Sequence, residues 1–596
     1  MGLRPSDVGV RAVLSAAILL TGAGCRERSE VPSGRGGAGT PVEAQSGPAP
    51  TRVSEPASER PPERASPRPR LVVSVVLDQL ATWSFRRYEA ALPAEGALRR
   101  ALEGGVVHRR LRYGYGATVT AAGHATLYTG VNPRVHGVVA NMTFDVARGR
   151  RRAVVDDATH PVFGVPGTFA GPGVLRVPTA GDALREASGG RAQVASLSFK
   201  DRGAILPGGH APSFVAFYAP RIPGFTTSAY YGEAPPPWLG AFTRRHPVSS
   251  YLERWTPGES ARRRGGVDDR AVEGAAPGFG RAFPHDPEAT EAPAAWFKFF
   301  PASNRYLADL AEETVRRLGL GDDEVPDLLC LSFSSTDYVG HKFGGDSVEY
   351  LDNLIRADRA LGALVRALEA RTSVAVLITS DHGHAPTPAD PAPPRLVPRQ
   401  LLGALEAHLA ERFGEGPFVA GYHVPYVHLG AEARARDDAE AVLEAATAWL
   451  GAHPLVAWAA RTEDAAGWTA HRDPLRRAVA EGIAPGRGGP IYVLPAEGVV
   501  VDAGLGGGTH HGTPYPYDRE VPVLAFGTGV GRLVSDAPVD ARRYAPTLAR
   551  LLGVEPPRTM TERALPGFPS PSVRAAPPDA APAPASAPRP HDRPSE

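Results

Sequence analysis

Short apolar runs that end at acidic residues or histidines constrain this chain more than any other feature. The runs at 71–77, 328–333 and 374–379 are almost wholly apolar, as expected for parallel strands buried on both faces, and 523–526 is a shorter run of the same kind. Between them, residues 349–370 carry leucine, isoleucine and valine at helical spacing. This alternation predicts an α/β fold with a central, mostly parallel sheet and helices on both faces.

Candidate metal ligands stand just beyond these runs. They are Asp78 after the first run, Asp337 and His341 after the second, Asp381 and His382 after the third, and His511 in a later Gly-Thr-His-His-Gly segment. A lone Asp after a strand is more often a turn or capping residue. Four such places on one sheet can converge, however, because sites form beyond the carboxyl ends of parallel strands. Three carboxylates and three imidazoles suit zinc better than calcium or magnesium.

The segment 118–130 supplies a candidate nucleophile, Thr120. A threonine that opens a short helix holds its hydroxyl beside free backbone N–H groups, and these favour an incoming phosphate. An isolated threonine in this position would usually be only a helix cap. Beside a metal, however, the hydroxyl can ionise near neutral pH and attack phosphorus.

Together these motifs resemble the alkaline phosphatase superfamily, in particular the PafA-type alkaline phosphatases, which are related to the nucleotide pyrophosphatase/phosphodiesterases. The matching stretches are 78–79, 118–124, 133–141, 200–202, 337–341, 381–383 and 511–512, in family order. The resemblance implies an alkaline phosphatase-like catalytic domain over 69–565. Within it, an aromatic, Gly- and Pro-rich region breaks the alternation of strands and helices, which predicts an insertion at about 206–300 that caps the site.

The resemblance also implies a site with two zinc ions and a nucleophile. It implies one zinc on Asp78, Asp381 and His382, and the other on Asp337, His341 and His511, with Thr120 as nucleophile and additional metal ligand. Asn141 matches an asparagine whose amide holds a phosphate oxygen. His511 is preferred to His510 because the family histidine precedes a glycine, although His510 remains an alternative.

Lys200 and Arg202 bear on the type of ester. A phosphate monoester has a third unesterified oxygen, and two cations can balance its charge. In PafA-type enzymes the matching Lys and Arg contact the phosphate, whereas the related diesterases lack them. The resemblance thus implies a phosphomonoesterase that forms a phosphothreonine, with small phosphate monoesters as substrates.

Three other functions remain open. A phosphodiesterase or nucleotide pyrophosphatase of the same superfamily is the nearest alternative. A sulfatase is disfavoured because the Cys/Ser-x-Pro-x-Arg signature is absent around Thr120. An inactive, lipid-anchored binding protein is the most remote.

The N-terminus predicts export. Arg4 and Arg11 precede an apolar stretch at 12–20, and small residues lead to Cys25, as in a lipoprotein-type signal peptide over 1–25. Lipidation of Cys25 would anchor the protein in the cell envelope or periplasm, in the outer rather than the inner membrane, and would prevent a disulfide with Cys330. Residues 26–68 and the Pro/Ala-rich tail at 566–596 predict a disordered tether and tail.

The chain has 596 residues and a formal net charge of +1, so its overall charge does not predict a nucleic-acid partner. The sequence leaves the oligomeric state open, and a monomer is favoured.

Overall fold

The computed structural model describes residues 67–569 except 146–148, 276–278, 388–394, 503 and 505–506. The strands of this part are β1 (Leu71–Leu77), β2 (Val106–Arg112), β3 (Met142–Asp145), β4 (Arg150–Ala153), β5 (Val194–Ser198), β6 (Phe214–Ala219), β7 (Gly224–Thr226), β8 (Asp327–Phe333), β9 (Val374–Thr379), β10 (Val419–His423), β11 (Tyr426–Leu429), β12 (Val456–Arg461), β13 (Ile491–Pro495), β14 (Glu520–Gly527), β15 (Leu533–Ser535) and β16 (Val539–Asp540).

The α-helices of the described residues lie mostly between these strands. They are α1 (Thr82–Tyr88), α2 (Ala97–Gly104), α3 (Thr120–Thr129), α4 (Pro133–His136), α5 (Ala180–Ala187), α6 (Asp201–Gly208), α7 (Pro237–Arg245), α8 (Glu259–Arg264), α9 (Pro293–Trp296), α10 (Ala302–Leu318), α11 (Ser335–Phe343), α12 (Val348–Glu369), α13 (Pro398–Phe413), α14 (Ala431–Ala435), α15 (Ala439–Gly451), α16 (Thr462–Ala466), α17 (Pro474–Glu481), α18 (Pro516–Arg519) and α19 (Tyr544–Leu552).

A ten-stranded sheet with the order β15-β2-β14-β9-β1-β8-β5-β6-β7 forms the centre, and β16 also pairs with β2. The strands from β9 to β6 in this order are parallel to one another. β14 and β7 run antiparallel to their neighbours. The prediction of a mostly parallel central sheet is confirmed, although the 523–526 run lies in an antiparallel strand.

Successive residues of β1 point into two different cores, as the alternation of side chains along a strand requires. Val73 and Val75 pack with α2, α10 and α12 on one face, whereas Val72 and Val76 pack with α3, α5 and α19 on the other. Because both faces are covered by helices, β1 is apolar at nearly every position. The predicted layers of helix, sheet and helix are therefore confirmed.

The stretch at 206–300 requires a correction. Its strands β6 and β7 extend the main sheet. Phe242, Trp255, Phe279 and Phe297 pack in the same core as residues of α10 and α12. These residues are therefore built into the edge and one face of the main sheet, and do not form a separate insertion.

The predicted tail also starts too early. Phe568 is buried in the second core, and the carbonyl of Pro566 accepts a hydrogen bond from His108 Nε2 at 2.9 Å. The packed chain thus continues to at least residue 569. The predicted signal peptide, Cys25, nearly all of the tether and residues 570–596 lie outside the described residues. Among the described helices, none combines the length and the apolar character needed to cross a bilayer.

Candidate active site

Three neighbouring strands end at the same level and bring the predicted ligands to one edge of the sheet. Val76 of β1 pairs with Ser332 of β8 and with Thr379 of β9. Asp78 follows β1 directly, and Asp381 follows β9 after one residue. α11 starts just beyond β8, so Asp337 and His341 lie one helical turn apart on the same face.

Asp337, His341 and His511 form one group that can hold a metal ion, with one ligand atom from each within 4.8 Å of the others. Asp337 Oδ1 lies 3.2 Å from His341 Nε2 and 3.4 Å from His511 Nε2. The Nδ1 atoms lie 2.9 Å from the carbonyl of Thr509 and 2.8 Å from that of Thr118, respectively. A proton on each Nδ1 would donate to these carbonyls and leave the Nε2 lone pairs for a metal.

Asp78, Asp337 and His382 form a second such group. His382 Nε2 lies 3.5 Å from Asp78 Oδ1 and 3.5 Å from Asp381 Oδ2, while its Nδ1 faces the carbonyl of Gly383 at 3.0 Å. The structure therefore brings the predicted ligands Asp78, Asp381 and His382 together. Asp337 belongs to both groups, so the two candidate metal positions lie side by side.

His510 belongs to neither group. Its ring centroid lies 5.0 Å from that of His341, and its Nδ1 contacts the carbonyl oxygen of His511. The neighbouring His511 stacks on His382 with ring centroids 3.6 Å apart. The geometry thus favours His511 as the ligand over His510.

The chemistry of these residues fits metal ions. Asp78 Oδ1, Asp337 Oδ1, Asp381 Oδ2 and His382 Nε2 are buried and make no hydrogen bond with any described residue. Buried polar atoms without partners are costly, and a cation that they coordinate would remove that cost. Burial lowers the pKa of His382 to about 4 and that of His511 to about 3, so both imidazoles are neutral at physiological pH, as metal ligands must be.

The carboxylates have opposite pKa shifts. Burial and the nearby charge of Asp381 raise the pKa of Asp78 well above its ordinary value. Burial opposes ionisation of Asp337 too, but attraction to His341 and Lys200 is stronger and holds its pKa well below that value. Lys200 also favours the ionised form of Asp78, but it does not offset burial and repulsion from Asp381, so ionised Asp78 requires further positive charge.

Thr120 is the first residue of α3 and is 1% exposed. The next backbone amide, that of Ala121, donates to Asn141 Oδ1 at 2.8 Å, so the Asn141 side chain lies at the start of α3 beside Thr120. α3 approaches the Asp381 loop closely at Gly123, where a Cβ atom would lie 2.1 Å from the Asp381 carbonyl oxygen. A glycine is therefore needed at position 123 for α3, which begins with Thr120, to pack this closely against the Asp381 loop.

Lys200 lies between the candidate ligands Asp78 and Asp337 and the hydroxyl of Thr120. β5 is the parallel neighbour of β8, and Lys200 caps the helix that follows it. Lys200 Nζ lies 2.5 Å from Asp78 Oδ2, 2.6 Å from Asp337 Oδ2 and 3.2 Å from Thr120 Oγ1. Burial disfavours its charge, but attraction to the two carboxylates outweighs burial and raises the pKa of Lys200.

Arg202 lies two residues after Lys200, in the first turn of α6. Its guanidinium reaches Asp201 Oδ1 at 3.4 Å, and its Nε makes no hydrogen bond with any described residue. Tyr338, which sequence reasoning missed, lies with its ring centroid 5.2 Å from Lys200 Nζ. Its position next to Asp337 was the only available signal.

A cavity of about 450 Å³ opens beside the candidate metal ligands His341 and His511. Its walls are Val119, Asn141, Met142, Arg151, His341, Val397, Pro398, Arg399, Tyr422, His423, Val424, Val501, Asp502, Gly504, His510 and His511. Many of them come from β10, the start of α13 and the β3–β4 hairpin. None of the described residues that line this cavity comes from 206–300.

Comparison with known proteins agrees with this geometry. The family model for type I phosphodiesterase / nucleotide pyrophosphatase matches residues 72–514. The chain is 27% identical over 523 residues to alkaline phosphatase PafA of Elizabethkingia meningoseptica, covering 83% of this chain and 93% of that protein. It is 28% identical over 527 residues to alkaline phosphatase PhoK of Sphingomonas sp, covering 83% and 90%. The crystal structure of wild type alkaline phosphatase PafA matches with a TM-score of 0.78 at 26% identity, covering 85% of this chain and 100% of that one. The resemblance found in the motifs is confirmed, and the chain belongs to the type I phosphodiesterase / nucleotide pyrophosphatase family of phosphoesterases.

Proposed function

We propose that this protein is a zinc-dependent phosphomonoesterase, an alkaline phosphatase, that acts through a covalent phosphothreonine on Thr120. One observation carries the proposal: the Thr120 hydroxyl lies at a helix N-terminus, 3.2 Å from the Lys200 ammonium, beside two groups of metal-ligating side chains. The relatives named alkaline phosphatase support the same reaction.

The proposed metal ions are two zinc ions. Asp78, Asp381 and His382 would hold one, and Asp337, His341 and His511 the other, with Thr120 as a further ligand. When bound, the zinc ions would supply positive charge to the reacting oxygens and lower the pKa of a hydroxyl or water beside them.

Thr120 Oγ1 attacks phosphorus in line, so that the Oγ1–P bond forms while the ester P–O bond breaks and the alcohol leaves. The Lys200 ammonium, 3.2 Å from Oγ1, favours the deprotonated hydroxyl. Water then attacks the phosphothreonine, the Oγ1–P bond breaks, and inorganic phosphate is released. The positive end of the α3 helix dipole favours the negative charge that develops on phosphate.

During the reaction, three side chains bind the phosphoryl group of the substrate. Asn141 Oδ1 is fixed by the amide of Ala121, which leaves the Asn141 NH₂ group to donate to a phosphate oxygen. Lys200 and Arg202 supply two positive charges for the dianion of a monoester. A diester has an organic group in place of one charged oxygen and gains less from this second charge.

The cavity beside the ligands has room for the leaving group. Arg151, Arg399 and His423 line it together with Tyr422. A cavity of about 450 Å³ accommodates many small organic groups, which agrees with hydrolysis of a range of small monoesters. A phosphodiesterase is the second candidate, because the matching family model is described as type I phosphodiesterase / nucleotide pyrophosphatase.

A substrate panel tests the proposed reaction. Purified, zinc-loaded protein is given 4-nitrophenyl phosphate, bis(4-nitrophenyl) phosphate and 4-nitrophenyl sulfate, with Thr120→Ala as the blank. The monoester is expected to give the highest kcat/KM. A higher kcat/KM for the diester would favour the phosphodiesterase, and no turnover of any substrate by zinc-loaded protein would favour an inactive binding protein.

We also propose export as an envelope lipoprotein anchored through Cys25, supported by the N-terminal pattern. Cys25→Ser is expected to abolish incorporation of radioactive palmitate and to release the protein from membranes. Unchanged membrane association of this variant would contradict the anchor.

A further inference from the structure

We propose that Asp268, Glu273 and Glu349 form a third metal site, which binds a hard divalent cation of the calcium type and braces the helix and the loop that carry two active-site histidines. Each residue offers one oxygen, and these oxygens lie within 4.8 Å of one another. Glu349 lies in the first turn of α12, whereas Asp268 and Glu273 lie in the segment that follows α8.

The two glutamates are buried, at 0% exposure for Glu349 and 2% for Glu273. Glu349 Oε1 accepts a hydrogen bond from His285 Nε2 at 3.0 Å, and Glu273 Oε2 accepts one from the amide of Arg270 at 2.9 Å. The other oxygens, Glu349 Oε2 and Glu273 Oε1, make no hydrogen bond with any described residue. Each glutamate is thus oriented through one oxygen and has the other free to coordinate a cation.

Asp268 is held from both sides. Its Oδ1 accepts from the amide of Asp269 at 3.1 Å and its Oδ2 from the amide of Phe283 at 3.2 Å. Carboxylate oxygens retain further lone pairs after such contacts, so Asp268 can still bind a cation. The three carboxylates therefore have defined positions in the structure.

Carboxylates that approach one another in a buried place need either protons or a cation. Two nearby arginines pair with other acids: Arg270 Nη1 contacts Asp346 Oδ1 and Arg281 Nε contacts Asp269 Oδ1, both at 3.0 Å. Burial, together with repulsion from Glu273, raises the pKa of Glu349 to about 9. An all-oxygen ligand set favours calcium or magnesium over zinc, and several protein carboxylates at one site favour calcium, because magnesium usually keeps several of its waters.

The same loop is bonded to the active-site segments. The amide of Gly274 donates to the carbonyl of Lys342 at 2.7 Å, next to the ligand His341. The amide of Gly508 donates to the carbonyl of Val272 at 2.8 Å, three residues before the ligand His511. A cation on Glu273 would therefore stiffen the segment that is hydrogen-bonded both to the end of α11, which carries His341, and to the loop that carries His511.

Equilibrium dialysis of the full chain against radioactive calcium tests the proposal, with excess zinc present to keep the zinc sites filled. Wild-type protein is expected to bind one calcium per chain with a Kd between about 10⁻⁶ and 10⁻³ M. Glu273→Gln and Glu349→Gln are each expected to weaken binding at least about tenfold, since each removes a charged ligand. Calcium should also raise the Tm of wild-type protein but not that of Glu273→Gln.

Asp269→Asn is the matched control, because Asp269 is adjacent in sequence and pairs with Arg281 outside the cluster. It is expected to bind calcium as wild type does. Absence of stoichiometric calcium binding by wild-type protein overturns the proposal, and so does equal binding by wild type and Glu273→Gln. Calcium binding by wild-type protein tests the proposal even if a variant fails to fold. Zinc content is measured in parallel, so that loss of calcium binding can be distinguished from loss of metal at the proposed phosphatase site.

Discussion

Replacement of Lys200 by alanine is expected to reduce monoester hydrolysis more than diester hydrolysis. Lys200 Nζ lies 3.2 Å from Thr120 Oγ1, so a phosphoryl group that joins this oxygen comes close to the ammonium. At that distance and an effective dielectric constant of about 20, two unit charges interact by about 5 kcal/mol. Water that enters the variant would recover part of this energy. Loss of one preorganised donor typically costs ~3–4 kcal/mol, or about 10²–10³-fold in rate.

The diester carries one negative charge less than the monoester dianion. Because Coulomb energy is proportional to charge, the diester should lose about half as much, ~1.5–2 kcal/mol or about 10–30-fold. Lys200→Ala should therefore lower the ratio of monoester to diester kcat/KM by about tenfold or more. The charge of the substrate, and not its size, sets this difference.

The assay compares kcat/KM for 4-nitrophenyl phosphate and bis(4-nitrophenyl) phosphate at saturating zinc, with zinc content measured by mass spectrometry. Lys298→Ala is the matched control, because Lys298 Nζ lies 4.6 Å from the ring centroid of the same Tyr338. The control should change neither rate by more than a few-fold. Equal losses for both substrates in Lys200→Ala, at normal zinc content, would refute the charge argument.

Three further predictions concern stability. Gly123→Ala should destabilise the protein by about 1–3 kcal/mol and weaken zinc binding, because the new Cβ would lie 2.1 Å from the Asp381 carbonyl oxygen. In the control Gly104→Ala the new Cβ meets no atom within 4 Å, so this variant should not be destabilised. Chemical denaturation measures both variants, and equal losses of stability would contradict the packing argument. Burial raises the pKa of Asp358 to about 7, so the folded state holds a proton that the unfolded state releases near pH 4, and wild type should lose stability as the pH rises from about 4 to 7. Asp358→Asn lacks the titrating carboxyl, so its stability relative to wild type should increase between pH 5.5 and pH 8. A difference in unfolding free energy that does not change with pH would count against the raised pKa of Asp358. Removal of zinc by a chelator should lower the Tm measured by calorimetry, because buried ligand atoms such as His382 Nε2 would lose their partners, and an unchanged Tm would argue against metal at these residues.

Much of the central sheet could be predicted because its strands are buried on both faces and read as continuous apolar runs. The predicted runs at 71–77 and 374–379 coincide with β1 and β9, and β8 begins one residue before its predicted run. Residues that follow parallel strands share an edge, so the convergence of Asp78, Asp337 and Asp381 could be expected from local sequence.

Features that depend on distant pairing could not be predicted in this way. The 523–526 run of β14 is as apolar as the runs of the parallel strands β1 and β9, so its antiparallel direction has no signal in composition. β12 is mostly half-buried and carries no clear alternation, and the four-stranded sheet β10-β11-β13-β12 was therefore not predicted. The region at 206–300 was predicted as a cap because its aromatic residues lack strand or helix periodicity, yet they pack on the main sheet.

Neighbouring residues of the same type posed a different difficulty. His510 and His511 have the same chemistry, and the sequence context favoured His511 only through the glycine that follows it. In the structure, the contact between His511 Nδ1 and the Thr118 carbonyl turns this ring towards Asp337. Glu349 is distant in sequence from Asp268 and Glu273, and only the fold brings the three carboxylates together.

The rate of 4-nitrophenyl phosphate hydrolysis by zinc-loaded Thr120→Ala tests the proposed nucleophile most directly. Thr118→Ala is the control, since the Thr118 hydroxyl donates to the Thr513 carbonyl at 2.9 Å and has no proposed role in catalysis. Thr120→Ala is expected to bind zinc and to fold normally, but to lose at least about 10³-fold in kcat/KM, whereas Thr118→Ala should keep most of its activity. Near-normal turnover by Thr120→Ala would contradict the proposed mechanism.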